Sequence, residues 1–476
     1  MPTISIFKDD FESLLGSQRT SAVSIDQIEE WLMLVKGELK GHNAETGELR
    51  VELQDSNRPD LWCCEGIARQ IRIKQQGKLR PYPFLGTRSK PTQRVIVGAG
   101  MERVRPYVAA CTAKGYRVTK EGLAQLIQTQ EKLADIFGHK RKTVSIGIYQ
   151  LQKIAFPVTY ELVKPDDARF TPLGMETVMT LSEILMVHPK GLEHGRILAG
   201  HSRLPILRDA KRQPLSFPPI INSREIGEVR VGDDELFVEV TGTDLAMVVL
   251  TLNIFAVNLA DRGAVIEPVA VQYPHKTPLG RRVVTPQDLG KSRSIRIETI
   301  ERALGQALGG KTVTQALKTY GYDVSAGKSS VKAKLPPYRQ DLMHEMDVVE
   351  DVAMSCGYGS FAPEMPAQFS QPESASNIPG CLLGPYLPPF LKRPNATGEK
   401  RRNDKTVVGL FSVHDHEMFT QFYLTNRNQL AIAAKQDAVR IRQGLNHIRT
   451  QSSKFTMLFG DMCPSFIRES NVNSAL

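Results

Sequence analysis

The run Pro336-Pro337-Tyr338-Arg339-Gln340-Asp341-Leu342-Met343-His344-Glu345-Met346-Asp347-Val348-Val349-Glu350-Asp351 restricts the fold more than any other part of this chain. The two prolines remove backbone donors and hold the residues before them extended, so the chain enters the run without helix and Asp341 lies in extended backbone. Downstream, Val348, Val349, Val352 and Ala353 repeat with helical spacing, and the helix they predict would stop near Gly357, a residue suited to the left-handed turn after a helix end. That helix places Asp347, Glu350 and Asp351, at i, i+3 and i+4, on one face. Like charges so spaced repel, which leaves two readings: a solvated acidic face, or carboxylates neutralised by a cation. Hard oxygen donors suit Mg²⁺, which takes a few carboxylates and keeps several waters.

A length of 476 residues calls for roughly three domains, and apolar and charged fractions of 41% and 24% are those of a globular protein. The longest apolar run, residues 245–258, is interrupted by Thr and Asn and is too short to span a bilayer. The first ten residues lack the basic and apolar pattern of a secretory signal. Six cysteines (Cys63, Cys64, Cys111, Cys356, Cys381, Cys463) show neither CxxC spacing nor a disulfide framework, so a cytoplasmic protein without membrane contact is expected. A net charge of +10 is compatible with a polyanionic partner. Residues 374–476 carry thirteen Lys/Arg against seven Asp/Glu, however, so most of the excess lies in the tail and global charge alone does not establish nucleic-acid binding.

Within residues 1–90, positions 25–35 form an amphipathic helical pattern with Ser24 as N-cap, and 49–53 alternate as a half-buried strand. Asn57-Arg58-Pro59-Asp60 reads as a turn in which Asp60 caps the following helix. Residues 82–93, rich in Pro, Gly, Ser and Lys, read as a linker. The next region, 94–283, predicts a strand at 104–110, a helix from Lys120 to Phe137 ended by Gly138, and a strand at 143–149. Between the last two lies the basic run His139-Lys140-Arg141-Lys142, which reads as a solvated loop, with contact to RNA phosphates as the alternative. A third region alternates strand, two helices and strand before the carboxylate run, and prolines at 379, 385, 388, 389 and 394 punctuate the stretch that follows.

Several of these fragments, in order, resemble the β subunit of phenylalanyl-tRNA synthetase in its archaeal and eukaryotic form. Asn57-Arg58-Pro59-Asp60-Leu61 before Glu65–Arg69 is similar to its N-terminal region. Residues 104–110, 126–133, 141–148, His188-Pro189-Lys190-Gly191, 218–222, 240–244 and 258–263 resemble its B3/4 domain. Tyr338-Arg339-Gln340-Asp341, Asp347, Glu350-Asp351 and Cys356-Gly357-Tyr358-Gly359 resemble its B5 domain. Beyond about residue 372 the resemblance is lost, save for residues 424–430. The resemblance implies an α+β multidomain protein: a mixed α/β N-terminal domain (1–90), a B3/4 editing-type domain (94–283), a small helix and strand B5 domain (286–366) and an irregular C-terminal segment (367–476).

It also implies a function. The chain would serve as half of an α₂β₂ heterotetramer that attaches phenylalanine to tRNA(Phe) with ATP as co-substrate. The aminoacylation site would lie on the α subunit, and no Walker loop, GxGxxG turn or zinc spacing is present here. Asp341, Asp347, Glu350 and Asp351 would hold Mg²⁺. The B3/4 region would hydrolyse tyrosine wrongly attached to the tRNA, with Leu207, Ser216, Glu239 and Thr241 lining the pocket. Such a pocket is needed because a site shaped for an apolar side chain rejects an isostere bearing one extra hydroxyl by only about 10²-fold. Glu239 stands where the family's archaeal pattern has Asp, one methylene shorter. Two other readings stay open: a stand-alone editing hydrolase, and a non-catalytic RNA-binding protein derived from a synthetase.

Overall fold

The computed structural model describes residues 2–16, 23–54, 57–86 and 90–361. These lie within one compact unit, Met1–Ala367. The readings made for 367–476, and for the last residues of 286–366, fall outside the described residues.

The first region contains β1 (Thr3–Phe7), α1 (Lys8–Leu15), α2 (Ile25–Leu32), β2 (Gly37–Asn43), β3 (Glu48–Leu53) and α3 (Cys64–Gln76). Its antiparallel sheet runs β1-β3-β2, with Leu49, Val51 and Leu53 buried on alternate positions. Ser24 caps α2 in a reciprocal box with Gln27, and a 3₁₀ turn at Met33–Val35 takes over the last part of the predicted helix. Asp60 does not cap α3. Arg58 holds its carboxylate with two bonds of 2.9 Å, and Cys63 occupies the N-cap without accepting a side-chain capping bond from the helix amides. The turn packs directly on the helix at Gly66, where a Cβ would lie 1.8 Å from the Asp60 carbonyl oxygen.

The second region comprises β4 (Gln93–Val97), β5 (Tyr107–Lys114), α4 (Lys120–Lys132), β6 (Val144–Gln150), β7 (Val158–Val163), β8 (Arg169–Phe170), β9 (Met179–Thr180), α5 (Leu181–Val187), α6 (Pro189–His194), β10 (Leu204–Arg208), β11 (Pro214–Phe217), β12 (Ile221–Asn222), α7 (Arg224–Gly227), β13 (Glu235–Gly242), α8 (Leu245–Asp261), β14 (Val265–Thr277) and β15 (Gly280–Thr285). One ten-stranded sheet runs β12-β11-β10-β7-β4-β14-β5-β13-β6, with β15 beside β14. Only β4 pairs in parallel, with β7 and β14. The strand predicted at 104–110 starts later, at Tyr107, after a 3₁₀ turn at Met101–Arg103. The predicted helix to Phe137 is α4 continued by a single π turn, Leu133–Phe137.

The third region holds β16 (Ser292–Arg296), α9 (Ile297–Leu304), α10 (Gly309–Lys318), β17 (Asp323–Ala326), β18 (Ser330–Lys334) and α11 (Glu345–Cys356), with sheet order β16-β18-β17. Ile300, Val313, Leu317, Val331, Val348, Val349 and Val352 form its core. The carboxylate helix ends at Gly357, whose φ of 85° excludes most other residues.

The apolar run at 245–258 is α8, a helix hydrophobic on all sides and therefore buried. Its few polar residues tie the regions together. Asn253 Nδ2 donates to the carbonyls of Gln287 and Pro337, each at 2.8 Å. Asn258 accepts from Arg69. Asp261 accepts from Arg69 (2.7 Å), Arg72 (2.8 Å) and the Tyr82 hydroxyl (2.9 Å). The beginning of the expected linker is thus anchored: Tyr82, Phe84 and Leu85 are buried, because their apolar area outweighs the Pro/Gly bias around them. Arg69 also stacks over the Tyr338 ring, 4.6 Å from its centroid.

Asp261→Ala would leave two guanidinium groups buried without their anion, and should lower the unfolding free energy by about 3–5 kcal/mol in urea titration. A loss below about 1 kcal/mol would show that this buried charge is not a tie between regions.

Candidate functional site

A cavity of about 390 Å³ opens between α4, β6, β11, β12 and β13. Its lining includes Leu126, Gln130, Arg141, Ser145, Ile148, Ser216, Asn222 and Glu239. This volume lies in the range of small-molecule pockets, about 300–1,000 Å³.

The polar end of the cavity is set by strand register. Glu239 on β13 lies opposite Gly147 on β6, and its buried carboxylate accepts from the Tyr149 hydroxyl at 2.8 Å through Oε1. Gly147 makes room for that bond. A Cβ there would lie 2.0 Å from the Tyr149 hydroxyl and 2.5 Å from Glu239 Oε1. The second carboxylate oxygen, Oε2, is buried without a hydrogen-bond partner, and so is Ser216 Oγ, which faces the Tyr149 hydroxyl without a well-formed bond. Burial raises the Glu239 pKa to about 7, against the opposing pull of the Tyr149 bond and of Arg105. Burial, joined by the Glu239 charge, raises Tyr149 well above the usual phenol range, so the hydroxyl stays a donor.

Leu207 and Thr241 do not line the cavity. Leu207 pairs with Ser216 across β10 and β11, but its side chain is fully buried in the apolar core. Thr241 belongs to a neighbouring cluster: its Oγ1 accepts from Arg105 Nε at 3.1 Å and lies 2.9 Å from Ser145 Oγ, and its carbonyl accepts from Arg105 Nη2 at 2.7 Å. Arg105 is buried, with no carboxylate within bonding distance among the described residues, and burial lowers its pKa to about 10. Register explains the split. Glu239 and Thr241 stand two apart on one face of β13, so they reach successive rather than shared surroundings.

The four motif carboxylates do not converge either. Arg339 binds Asp341 with two bonds, 3.0 and 2.6 Å, and binds Asp351 at 2.7 Å. The Tyr322 hydroxyl adds a 2.6 Å bond to Asp351. Asp347 turns back to accept from the backbone amides of Met343 and His344, both at 2.6 Å, as the third residue of a capping box. Glu350 points outward and pairs with Lys36 of the first region. Burial resists ionisation of Asp341, yet the Arg339 guanidinium holds its pKa at about 2; for Asp351 burial wins and the pKa is raised. Among the described residues no three His, Cys, Asp or Glu side chains are gathered to hold a metal ion. The shared helical face expected from spacing is divided because α11 packs with Asp351 inward and Glu350 outward.

A family model described as the tRNA synthetase B5 domain matches residues 293–358. Proteins named phenylalanine–tRNA ligase beta subunit are similar over most of the chain. That of Borrelia turicatae is 34% identical over 78% of this chain and 65% of its own length. That of Treponema pallidum is 37% identical over 68% of this chain and 54% of its own length. The chain therefore spans about two thirds or less of these curated relatives. A solved N-terminal fragment of the phenylalanyl-tRNA synthetase beta subunit from Pyrococcus horikoshii is matched over its whole length. That fragment covers 75% of this chain at 34% identity, with a TM-score of 0.70. The chain belongs to the phenylalanyl-tRNA synthetase β-subunit family. Among the described residues, no helix of this family member is long and apolar enough to cross a membrane.

Sequence reasoning missed Tyr149, Gly147 and Arg105. The signal available for Gly147 was a glycine inside the strand pattern Val144-Ser145-Ile146-Gly147-Ile148-Tyr149, which marks close approach of another group. Arg105 gave none, since an arginine before a proline reads as surface.

Two outcomes are expected here. The raised pKa of Glu239 means that the unfolded chain ionises it first, so its contribution to stability is complete below about pH 4.5 and is lost as pH rises to about 7. Glu239→Gln should therefore stabilise the chain at pH 8, by at most about 3 kcal/mol, with the gain vanishing near pH 4.5; unfolding midpoints across that range decide it. Asp347→Asn should weaken the N-terminal box of α11 by about 1 kcal/mol, equally with and without millimolar Mg²⁺. A midpoint of the parent that rises with Mg²⁺ would show that the carboxylates rearrange around the ion.

Proposed function

We propose that this chain acts as the β half of a phenylalanine–tRNA ligase, joining an α subunit and tRNA(Phe) in an α₂β₂ assembly in the cytoplasm. ATP-dependent attachment of phenylalanine would take place on the α subunit, as membership of the family implies. The chain's own chemistry would be hydrolysis of tyrosine misattached to that tRNA. Magnesium would be held at Asp341, Asp347, Glu350 and Asp351 only if these carboxylates exchanged their present partners for the ion. Its four candidate ligands are engaged by Arg339, Tyr322, Lys36 and backbone amides, and Asp341 and Asp351 already have their counter-cation in the guanidinium.

The observation that carries the editing reading is the unpartnered Glu239 Oε2 on the cavity, beside the unpartnered Ser216 hydroxyl. Tyr149 already presents a phenol to Oε1; a tyrosyl substrate would present a second phenol to Oε2. A phenylalanyl substrate would leave both groups buried and unsatisfied, at a cost of about 1–3 kcal/mol. The selection therefore runs opposite to that of an apolar synthetic site, which rejects an added hydroxyl by only about 10²-fold.

Purified full-length chain should hydrolyse tyrosyl-tRNA faster than phenylalanyl-tRNA, by about 10- to 100-fold. Gly147→Ala, which drives a methyl into the Tyr149–Glu239 bond, should erase most of that preference. Equal rates on the two esters, unchanged by the substitution, would reduce the cavity to a packing feature.

A further inference from the structure

Arg105 lies just before β5 and is enclosed, yet every acceptor it uses is neutral. Its Nε donates to Thr241 Oγ1, and its Nη2 donates to the Thr241 carbonyl and, at 3.1 Å, to Ser145 Oγ. Its Nη1 donates to the carbonyls of Arg141 and Lys142 at 3.2 and 3.1 Å. These bonds match the five N–H donors that a guanidinium carries. The Arg105 carbonyl in turn accepts from the Tyr160 hydroxyl at 3.1 Å. A cation buried among neutral acceptors carries a large desolvation cost, and the groups it holds show where it acts.

Those groups come from three pieces at one end of the cavity. On β13 and β6, Thr241 faces Ser145 and Glu239 faces Gly147 along one ladder, two residues apart. Arg105 clamps the first of these rungs through both hydroxyls. A slip of one residue would set Ile146 or Ile148 against Glu239 in place of Gly147, whose missing Cβ leaves room for the Tyr149–Glu239 bond. The third piece is a left-handed turn, with φ of 49°, 55° and 66° at His139, Lys140 and Arg141, backbone that non-glycine residues seldom adopt. By holding the Arg141 and Lys142 carbonyls, Arg105 ties this turn to the same rung. The titratable groups around the Glu239 carboxylate are Tyr149 from β6 and Tyr160 from β7, with Arg141 on the same cavity lining. Burial raises both phenols above their usual range, so neither is charged near neutral pH. Burial raises the proton affinity of Glu239, and the Arg105 charge opposes it.

We infer that Arg105 is the positioning residue of this site: it holds the rung beside Glu239 in register and supplies the buried positive charge that favours the ionised carboxylate. Arg105 does not line the cavity, so it acts through Thr241, Ser145 and Glu239 rather than on a bound molecule. Its effect on substrate preference rests on the hydrolytic reading; its effect on Glu239 stands without it. With the cation removed, ionised Glu239 is buried with no compensating charge, so the carboxyl keeps its proton to higher pH. The folded-state pKa of Glu239 already lies above the unfolded value, and the loss of stability with rising pH therefore becomes larger and extends further upward.

Two measurements on the full-length chain test this. The first is a double-mutant cycle read by unfolding midpoints. At pH 8, Glu239→Gln should raise the midpoint more in an Arg105→Gln background than in the parent, and the difference should vanish near pH 4.5, where the carboxyl is protonated in both. A purely structural arginine would give the same Glu239→Gln effect in both backgrounds at either pH. Where Arg105→Gln does not fold, Arg105→Met is its replacement in the cycle, and Thr241→Val with Ser145→Ala loosens the clamp while keeping the charge. That pair should leave the pH dependence of the Glu239→Gln effect as in the parent. The second measurement follows deacylation of tyrosyl- and phenylalanyl-tRNA from pH 6 to 9. The preference for the tyrosyl ester should rise with pH as Glu239 ionises, and Arg105→Gln should move that rise upward by about one unit, the low end for loss of a nearby opposite charge. If the parent shows no preference, the hydrolytic reading falls and the stability cycle alone decides the role of Arg105. Equal Glu239→Gln effects in the two backgrounds at pH 8, or an Arg105→Gln preference with the parent's pH profile, would overturn the inference.

Discussion

The fold depends on burying charge only where opposite charge or a full set of hydrogen bonds accompanies it. Helix α8 shows this most clearly. Nearly all of its surface is apolar and enclosed, and an isolated anion at Asp261 in that setting would be prohibitively desolvated. Arg69, Arg72 and Tyr82 supply the compensation, and each comes from outside α8. The same end of the helix brings Arg262 to Asp10 and Glu65. The first and second regions are thereby fixed to each other by the requirement that no buried charge be left alone, and Asn253 extends the tie to the third.

The B5 region solves the same problem with one cation. Arg339 sits between Asp341 and Asp351, and its guanidinium lies over the Tyr320 and Tyr322 rings, 5.6 and 5.3 Å from their centroids. Arg58 of the first region reaches the Tyr320 ring at 5.8 Å, so two cations share one aromatic surface between regions. Tyr320 also donates to the Leu34 carbonyl at 3.0 Å. What the sequence presents as a cluster of negative charge is, in three dimensions, part of a neutralised joint.

The cavity breaks the rule on purpose. Glu239 Oε2, Ser216 Oγ and Arg141 Nε are buried and unpaired on the same lining. Buried atoms without a partner occur elsewhere too, such as Glu65 Oε2, Arg69 Nη1 and Arg339 Nη1, but these three share one cavity wide enough to take a polar ligand. The left-handed turn beside it carries backbone strain as well, so local frustration of two independent kinds meets in one place.

The periodic parts were legible in the sequence because periodicity is a local property. The Ser24 cap, the alternation of Leu49, Val51 and Leu53, the stop at Gly357 and the helix under the carboxylates follow from neighbouring residues and emerge in the structure. Ser216 and Glu239 are likewise brought to one cavity. What sequence could not decide was direction. Whether Asp347 turns to an ion or to the backbone depends on how α11 packs, and whether Thr241 faces a ligand or Arg105 depends on a residue 136 positions away. Tyr82 looked like linker because composition cannot weigh a ring against the core it will enter. Gly147 and Tyr149 acquire meaning only when β6 and β13 are placed in register, since the space between a phenol and a carboxylate belongs to neither strand alone. Sequence determined the elements and the chemistry they carry; tertiary packing decided which charges are neutralised within the fold and which polar atoms remain free to meet a substrate.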